Sequence, residues 1–184
     1  EFRPEPATVY LTLPAQVLER QTRWLRWAIS AALRVCLDDP ENKGVPAVFF
    51  LDEFAALWPL EMIERNLPLV REYGVQFMPV VQGFAQLEEL YGKGWQKFIG
   101  NAGAVCCFAP GDDLTAKWMS DNVGERLAML PGYNLGQNPQ GGQSSGVSYG
   151  FQRVPAITPN QLRGLPDGRL LVFLAGLSSV VIAD

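Results

Sequence analysis

Two adjacent carboxylates, Asp52 and Glu53, close the apolar run Val48-Phe49-Phe50-Leu51. A run of this kind, preceded by Gly44 and Pro46, reads as a strand buried on both faces of a parallel sheet. Ligands of open α/β sheets bind beyond the carboxyl ends of the strands, where these two acids would stand. One carboxylate can hold Mg²⁺, usually through water, while its neighbour orients or deprotonates an attacking water. Hydrolysis of a nucleoside triphosphate needs both tasks done close together. The pattern is that of a Walker B element. A buried strand whose terminal acid caps the next helix looks the same, so the motif alone leaves both readings open.

A second mostly apolar strand, Val75 to Val81, ends in Gln82. Two consecutive strands would bring Asp52, Glu53 and Gln82 to one sheet edge. A glutamine there can sense a γ-phosphate or hydrogen-bond an attacking water, being donor and acceptor at once; it can equally satisfy loop backbone. Asp112 and Asp113 add another acidic pair and suggest an alternative, a metal-dependent hydrolase built with Asp52 and Glu53. That alternative needs the two pairs to meet across the sheet, and the chain has no histidine to assist.

The elements that must position these side chains alternate as in an α/β domain. Ala7 to Leu13 reads as a first strand, closed by Pro14. Val17, Leu18, Trp24, Leu25, Ala28, Ile29, Ala32 and Leu33 recur at helical spacing, giving an amphipathic helix with its tryptophans in the core. Asp38 to Gly44 reads as a surface loop. Met62, Ile63, Leu67 and Val70 mark a helical region, and Phe84 to Tyr91 a helix stopped by Gly92 and Gly94. Ala104 to Phe108 is a short strand, and Asp113 or Thr115 caps a helix to about Val123. From Leu135 to Gln152, Gly, Gln, Asn and Ser dominate without apolar periodicity. That segment reads as a long polar loop, either a functional surface or a tolerated insertion. Thr158-Pro159 to Leu165 then reads as a short helix, and Leu170 to Ala175 with Val180 to Ala183 as a C-terminal hairpin.

The chain has 184 residues, 48% of them hydrophobic, enough for one compact core. Its formal charge of −4 argues against a strongly basic nucleic-acid surface, though a local groove could still be basic. Cys36, Cys106 and Cys107 form no CxxC pair and read as small core residues in a reducing setting. No signal peptide or spanning segment is evident, so a membrane anchor would lie outside this stretch. Residues 1–6 read as linker or cloning remnant.

Val48 to Leu57, Arg71-Glu72-Tyr73-Gly74-Val75, and Val81-Gln82-Gly83-Phe84-Ala85-Gln86-Leu87 with Tyr91-Gly92 together resemble the TraG/TraD-like coupling proteins of type IV secretion and conjugation, relatives of the FtsK/HerA translocases. Asn101, Asp113-Leu114-Thr115-Ala116 with Ser120 and Gly124, and the Arg153 to Leu165 stretch continue the pattern in order. Several spaced motifs in sequence are far more specific than any one of them. The resemblance implies a RecA-like (P-loop NTPase) α/β domain, with a mostly parallel sheet flanked by helices and a C-terminal β-hairpin. It further implies a hexameric ATPase on the cytoplasmic face of the bacterial inner membrane. Such a motor passes a relaxase–DNA complex, single- or double-stranded DNA, or effector proteins to a secretion channel. Carried over by position, Asp52 would serve Mg²⁺, Glu53 would be the catalytic carboxylate, and Gln82 the γ-phosphate sensor. Arg71 would reach into a neighbouring subunit's site as an arginine finger; a surface cation beside Glu72 is the plainer alternative.

One family element is missing. No GxxxxGK[ST] occurs, and Gly92-Lys93-Gly94 lacks the spacing. Without the phosphate-cradling loop most nucleotide affinity is lost. Residues 7–184 therefore read as the C-terminal half of the motor domain, including the polar loop at about 135–152. ATP and Mg²⁺ belong to the full-length parent, and no cofactor is expected to bind tightly to this stretch alone. A sheet without its Walker A strand exposes an edge and invites self-association. The same region of the family is described as recognising a relaxosome accessory protein, so a non-catalytic docking module is the alternative function.

Overall fold

The computed structural model describes residues 6–38, 45–57, 60–137, 143–177 and 180–183. The expected features at residues 1–5, along most of the 38–44 loop and at the turn residues 178–179 lie outside these. The chain divides into two units, Glu1–Val105 and Cys106–Asp184.

The first unit opens with helix α1 (Ala15–Asp38). Its buried side chains, Thr22, Ile29, Leu33 and Cys36, recur at intervals that keep them on one stripe of a 3.6-residue helix. Trp24 and Trp27 fall off that stripe and face solvent, Trp27 with 69% of its surface exposed. The expectation of core tryptophans is thus corrected by the phase of the helix. Ala7 to Leu13 forms no strand either. A strand is held by its neighbour's backbone, and these residues pair with none among those described.

Strands β1 (Ala47–Leu51) and β2 (Val75–Pro79) pair in parallel, in register from Ala47 opposite Val75 to Leu51 opposite Pro79. Phe49 and Phe77 face each other across this pair with ring centroids 5.3 Å apart. Burial on both faces was expected for β1, but Val48 and Phe50 remain 58% and 59% exposed. Side chains alternate between the faces of a strand, and in the described chain only the face bearing Phe49 and Leu51 is covered. β2 stops at Pro79, short of the expected Val81, because its partner β1 ends opposite it at Leu51 and leaves no further strand to pair with.

Between the strands lie α2 (Glu61–Asn66) and a 3-10 turn, Val70–Tyr73. Gly74, at φ 63°, turns the chain out of the helical conformation and into β2. After β2 come α3 (Phe84–Tyr91) and α4 (Gln96–Gly100). Their aromatic residues form the core of this unit. Phe54, almost fully buried, stacks on Tyr91 at 6.1 Å and meets Phe98 edge-on at 5.5 Å, while Phe84 packs on Trp95 at 5.3 Å. The Tyr91 hydroxyl oxygen accepts the Leu60 N–H at 3.1 Å, and burial raises the Tyr91 pKa, keeping the ring neutral.

The second unit takes in the end of β3 (Ala104–Cys107), then α5 (Asp113–Val123), β4 (Glu125–Gln137), β5 (Gln143–Pro155), α6 (Pro159–Arg163), β6 (Leu170–Leu174) and β7 (Val180–Ala183). β3, β6 and β7 form a sheet in that order, with β6 and β7 antiparallel, as the C-terminal hairpin reading expects. Ala116, Met119, Leu162 and Leu171 make its buried core. Asp112, rather than Asp113 or Thr115, caps α5: its Oδ1 accepts the Thr115 N–H at 2.8 Å. Thr158 and Gln161 form a capping box at α6. Cys36 and Cys107 are buried as expected but Cys106 is exposed; burial pushes the Cys107 thiol up to about 12.

The largest departure from the sequence expectation is the segment that reads as a polar loop. Residues 135–137 and 143–152 belong to the antiparallel β4–β5 ribbon, whose ladder runs from Glu125 opposite Pro155 to Gln137 opposite Gln143. Its tip, 138–142, lies outside the described residues. Cross-strand partners share a face, so Leu127, Met129, Val147, Tyr149 and Phe151 stand on the same side, all of them exposed. Apolar residues at alternate positions were present in the sequence: Leu127, Met129, Pro131, Tyr133 and Leu135, then Val147, Tyr149 and Phe151. The Gly, Gln, Asn and Ser between them hid the two-residue period.

Candidate active site at the carboxyl ends of β1 and β2

β1 ends at Leu51, and the next residues leave the sheet in a turn fastened on both sides by Val80. The Val80 N–H donates to the Leu51 carbonyl at 3.0 Å, and the Val80 carbonyl accepts the Phe54 N–H at 3.0 Å. Asp52 and Glu53 protrude between these two bonds and are exposed. Glu53 takes φ 51°, the one non-glycine positive φ among the described residues. That left-handed conformation costs a residue with a Cβ roughly 1–2 kcal/mol. The side chain immediately after it offsets this cost, because fully burying a phenylalanine contributes about 1.5–3 kcal/mol, and Phe54 is locked into the aromatic core.

The Glu53 carboxylate is met by two amides. Gln82 Nε2 approaches Glu53 Oε2 at 3.4 Å, and Gln86 Nε2 approaches Oε1 at 3.4 Å. Gln86 also accepts the Gln82 backbone N–H on its Oε1 at 3.1 Å. One carboxylate oxygen therefore faces a loop glutamine, and the other faces a glutamine on the first turn of α3. The expected meeting of Asp52, Glu53 and Gln82 at one edge is present in the fold. The sequence reading gives Gln86 no role of its own, although its four-residue step from Gln82 at a helix start is a readable signal.

The Asp52 carboxylate makes no hydrogen bond or ion pair among the described residues. An exposed, uncommitted carboxylate beside Glu53 fits a hard cation held through water, as Mg²⁺ commonly is. Among the described residues no group of three or more His, Cys, Asp or Glu side chains is assembled that could hold a metal directly. Asp112 and Asp113 are otherwise engaged, the first in capping α5 and the second in an ion pair with Arg163. The hydrolase reading that enlists them therefore loses two of its ligands. Gly92-Lys93-Gly94 forms a 3-10 turn after α3 rather than a strand-to-helix phosphate loop.

Arg71 lies elsewhere in the unit. It sits in the 3-10 turn before β2, exposed, whereas Gln82 follows the other end of that strand. The length of β2 alone separates the two ends by roughly 13 Å. Arg71 is thus not brought together with Glu53 and Gln82 along this edge.

A family profile described as "TraM recognition site of TraD and TraG" matches residues 46–167. The chain is 30% identical to Protein VirD4 of Rhizobium rhizogenes over 179 residues, covering 96% of this chain and 26% of that protein. It is 28% identical to the Coupling protein TraD of Escherichia coli K12 over 153 residues, covering 80% of this chain and 21% of that one. The chain thus spans about a quarter of the length of these relatives. The plasmid coupling protein TrwB, solved with a non-hydrolysable ATP analogue, shares the fold at a TM-score of 0.62 and 23% identity, covering 89% of this chain and 37% of that one. The same protein with ADP and Mg²⁺ superposes at a TM-score of 0.61 and 22% identity over the same shares of the two chains. The α/β architecture expected from the sequence is the fold present, with a parallel strand pair, flanking helices and a C-terminal antiparallel hairpin. No described helix is long and apolar enough to cross a membrane. From the profile match and the VirD4 relationship, the chain belongs to the TraG/TraD family of conjugative coupling proteins and represents their C-terminal region.

Proposed function

We propose that residues 7–184 are the C-terminal half of a RecA-like motor domain, and that the longer protein hydrolyses ATP to deliver cargo to a type IV secretion channel. The observation that carries this reading is the Glu53 carboxylate, presented in a left-handed turn at the end of a parallel strand and faced by the Gln82 amide. A general base must be held near the water it activates, and a sensor must lie within reach of both base and phosphate. In this reading Glu53 orients and deprotonates the attacking water. Gln82 exchanges its contact with Glu53 for one with the γ-phosphate. Asp52 would hold Mg²⁺ through water, and the ion, when bound, offsets charge on the phosphate oxygens. The placement of Arg71 at the far end of β2 favours service in trans, at the site of a neighbouring subunit. Hydrolysis would then depend on assembly, here a homo-hexamer anchored at the inner membrane by segments outside this stretch. Relaxosome proteins with DNA, or effectors, are the proposed cargo.

The test is DNA-stimulated ATP hydrolysis by the full-length protein, wild type beside Glu53→Gln and Arg71→Ala. Both variants are expected to lose turnover, and mixing them should restore part of it, because a shared site can then draw Glu53 from one subunit and Arg71 from the next. Unchanged rates in both would sink the motor reading. A second reading, a docking module for a TraM-like relaxosome protein, is favoured by the description of the matched profile. It predicts that Glu53→Gln leaves partner binding intact, so the two readings are separable in one variant.

A further inference from the structure

Gln86 is the polar side chain in this cluster that the motor reading leaves without a task. It stands on α3, whose first turn is anchored by buried Phe84 and Leu87, whereas Gln82 sits in the short loop between β2 and that helix. Its amide spends both ends inside the cluster: Nε2 toward Glu53 Oε1 at 3.4 Å, Oε1 toward the Gln82 N–H at 3.1 Å. Groups mounted on helices hold their geometry better than groups on loops. We propose that Gln86 is the positioning residue of the site, retaining Glu53 by one oxygen when Gln82 turns to the nucleotide. The proposal rests on the motor reading given above.

The two glutamines then have separate duties. Gln82 addresses Oε2, so its departure toward the γ-phosphate frees that oxygen to take a proton from water. Gln86 keeps Oε1 and so prevents the carboxylate from rotating away at the moment it is needed. It also ties the Gln82 backbone to the same helix, which sets how far the sensor loop can travel. Without Gln86, a carboxylate on an exposed turn would sample several rotamers, and misplacing a reacting group by about 1 Å can cost up to roughly a hundredfold in rate.

The test uses the full-length protein with three variants. Gln86→Met keeps the length and removes both donor and acceptor. Gln86→Glu keeps an acceptor for the Gln82 N–H but replaces the donor facing Glu53 by a second carboxylate. Glu53→Gln is the reference for the motor reading. The expected result is kcat reduced by about tenfold or more in both Gln86 variants, with the KM for ATP and the melting temperature near wild type. Gln86→Glu should be at least as impaired as Gln86→Met. If Gln86→Glu turns over like wild type while Gln86→Met loses activity together with thermal stability, Gln86 merely braces the loop and the proposal falls. An inactive Glu53→Gln beside wild-type kcat in both Gln86 variants overturns the Gln86 inference alone. Wild-type turnover in Glu53→Gln removes the motor reading and this inference with it.

Discussion

The β1–β2 pair and the β4–β5 ribbon are both two-stranded, yet they are ordered by different means. The parallel pair is short, five residues in each strand, and relies on what lies behind it: Phe54, Tyr91 and Phe98 fasten the turn that carries the carboxylates. The ribbon has thirteen residues in each strand and relies on its own ladder, with Tyr149 and Phe151 left 70% and 73% exposed. From Leu127 to Gln152 it carries no charged residue, so it lacks the lysines that usually discourage edge pairing. One region spends its packing on presenting a few polar groups. The other presents apolar surface and holds little of it inside.

The sharpest test of this contrast is chemical. In the full-length protein, Glu53→Gln should lower ATP turnover by roughly 10²–10⁴-fold, whereas Tyr149→Thr in the ribbon should leave turnover per nucleotide site unchanged. Comparable losses in steady-state hydrolysis would erase the distinction. Next in size is a stability effect. Phe54→Ala should destabilise the first unit by about 3–5 kcal/mol, and Phe151→Ala should cost less than about 1 kcal/mol, since an exposed side chain leaves no cavity. Denaturant titrations of the chain read both, and equal costs would mean that the ribbon is packed after all. A smaller effect concerns association. Tyr149→Thr with Phe151→Thr should shift the sedimentation profile of the isolated chain toward monomer, because threonine keeps the strand preference and removes apolar area. An unchanged profile would assign self-association to another surface, such as Val48, Phe50 and Met78 on the open face of the parallel pair.

How much was legible in the sequence follows the same division. The acidic end of β1 and Gln82 were readable because an apolar run that stops at a polar side chain marks where a strand meets its ligand edge. The left-handed turn at Glu53 was not, because backbone conformation there is set by Val80 and Phe54 acting together across the fold. The contact of Gln86 with Glu53 was hidden in plain view, since it depends on which way α3 leaves the sheet. The ribbon was misread as a loop because Gly, Asn and Ser have low strand preference, and the long ladder outweighed it. The exposure of Val48 and Phe50 could not be read locally, since burial depends on which layers the rest of the chain supplies.

The φ of 51° at Glu53 has a practical consequence for anyone improving this protein. Glycine adopts that conformation freely, so Glu53→Gly should raise the melting temperature of the isolated chain by a few degrees, about 1 kcal/mol. Laboratory evolution under heat alone would then enrich glycine at position 53 and discard the proposed catalytic base while every folding assay improved. Libraries built for thermostability should hold that codon fixed, and a spontaneous glycine there would be a warning that selection had begun to trade the proposed motor function for the scaffold.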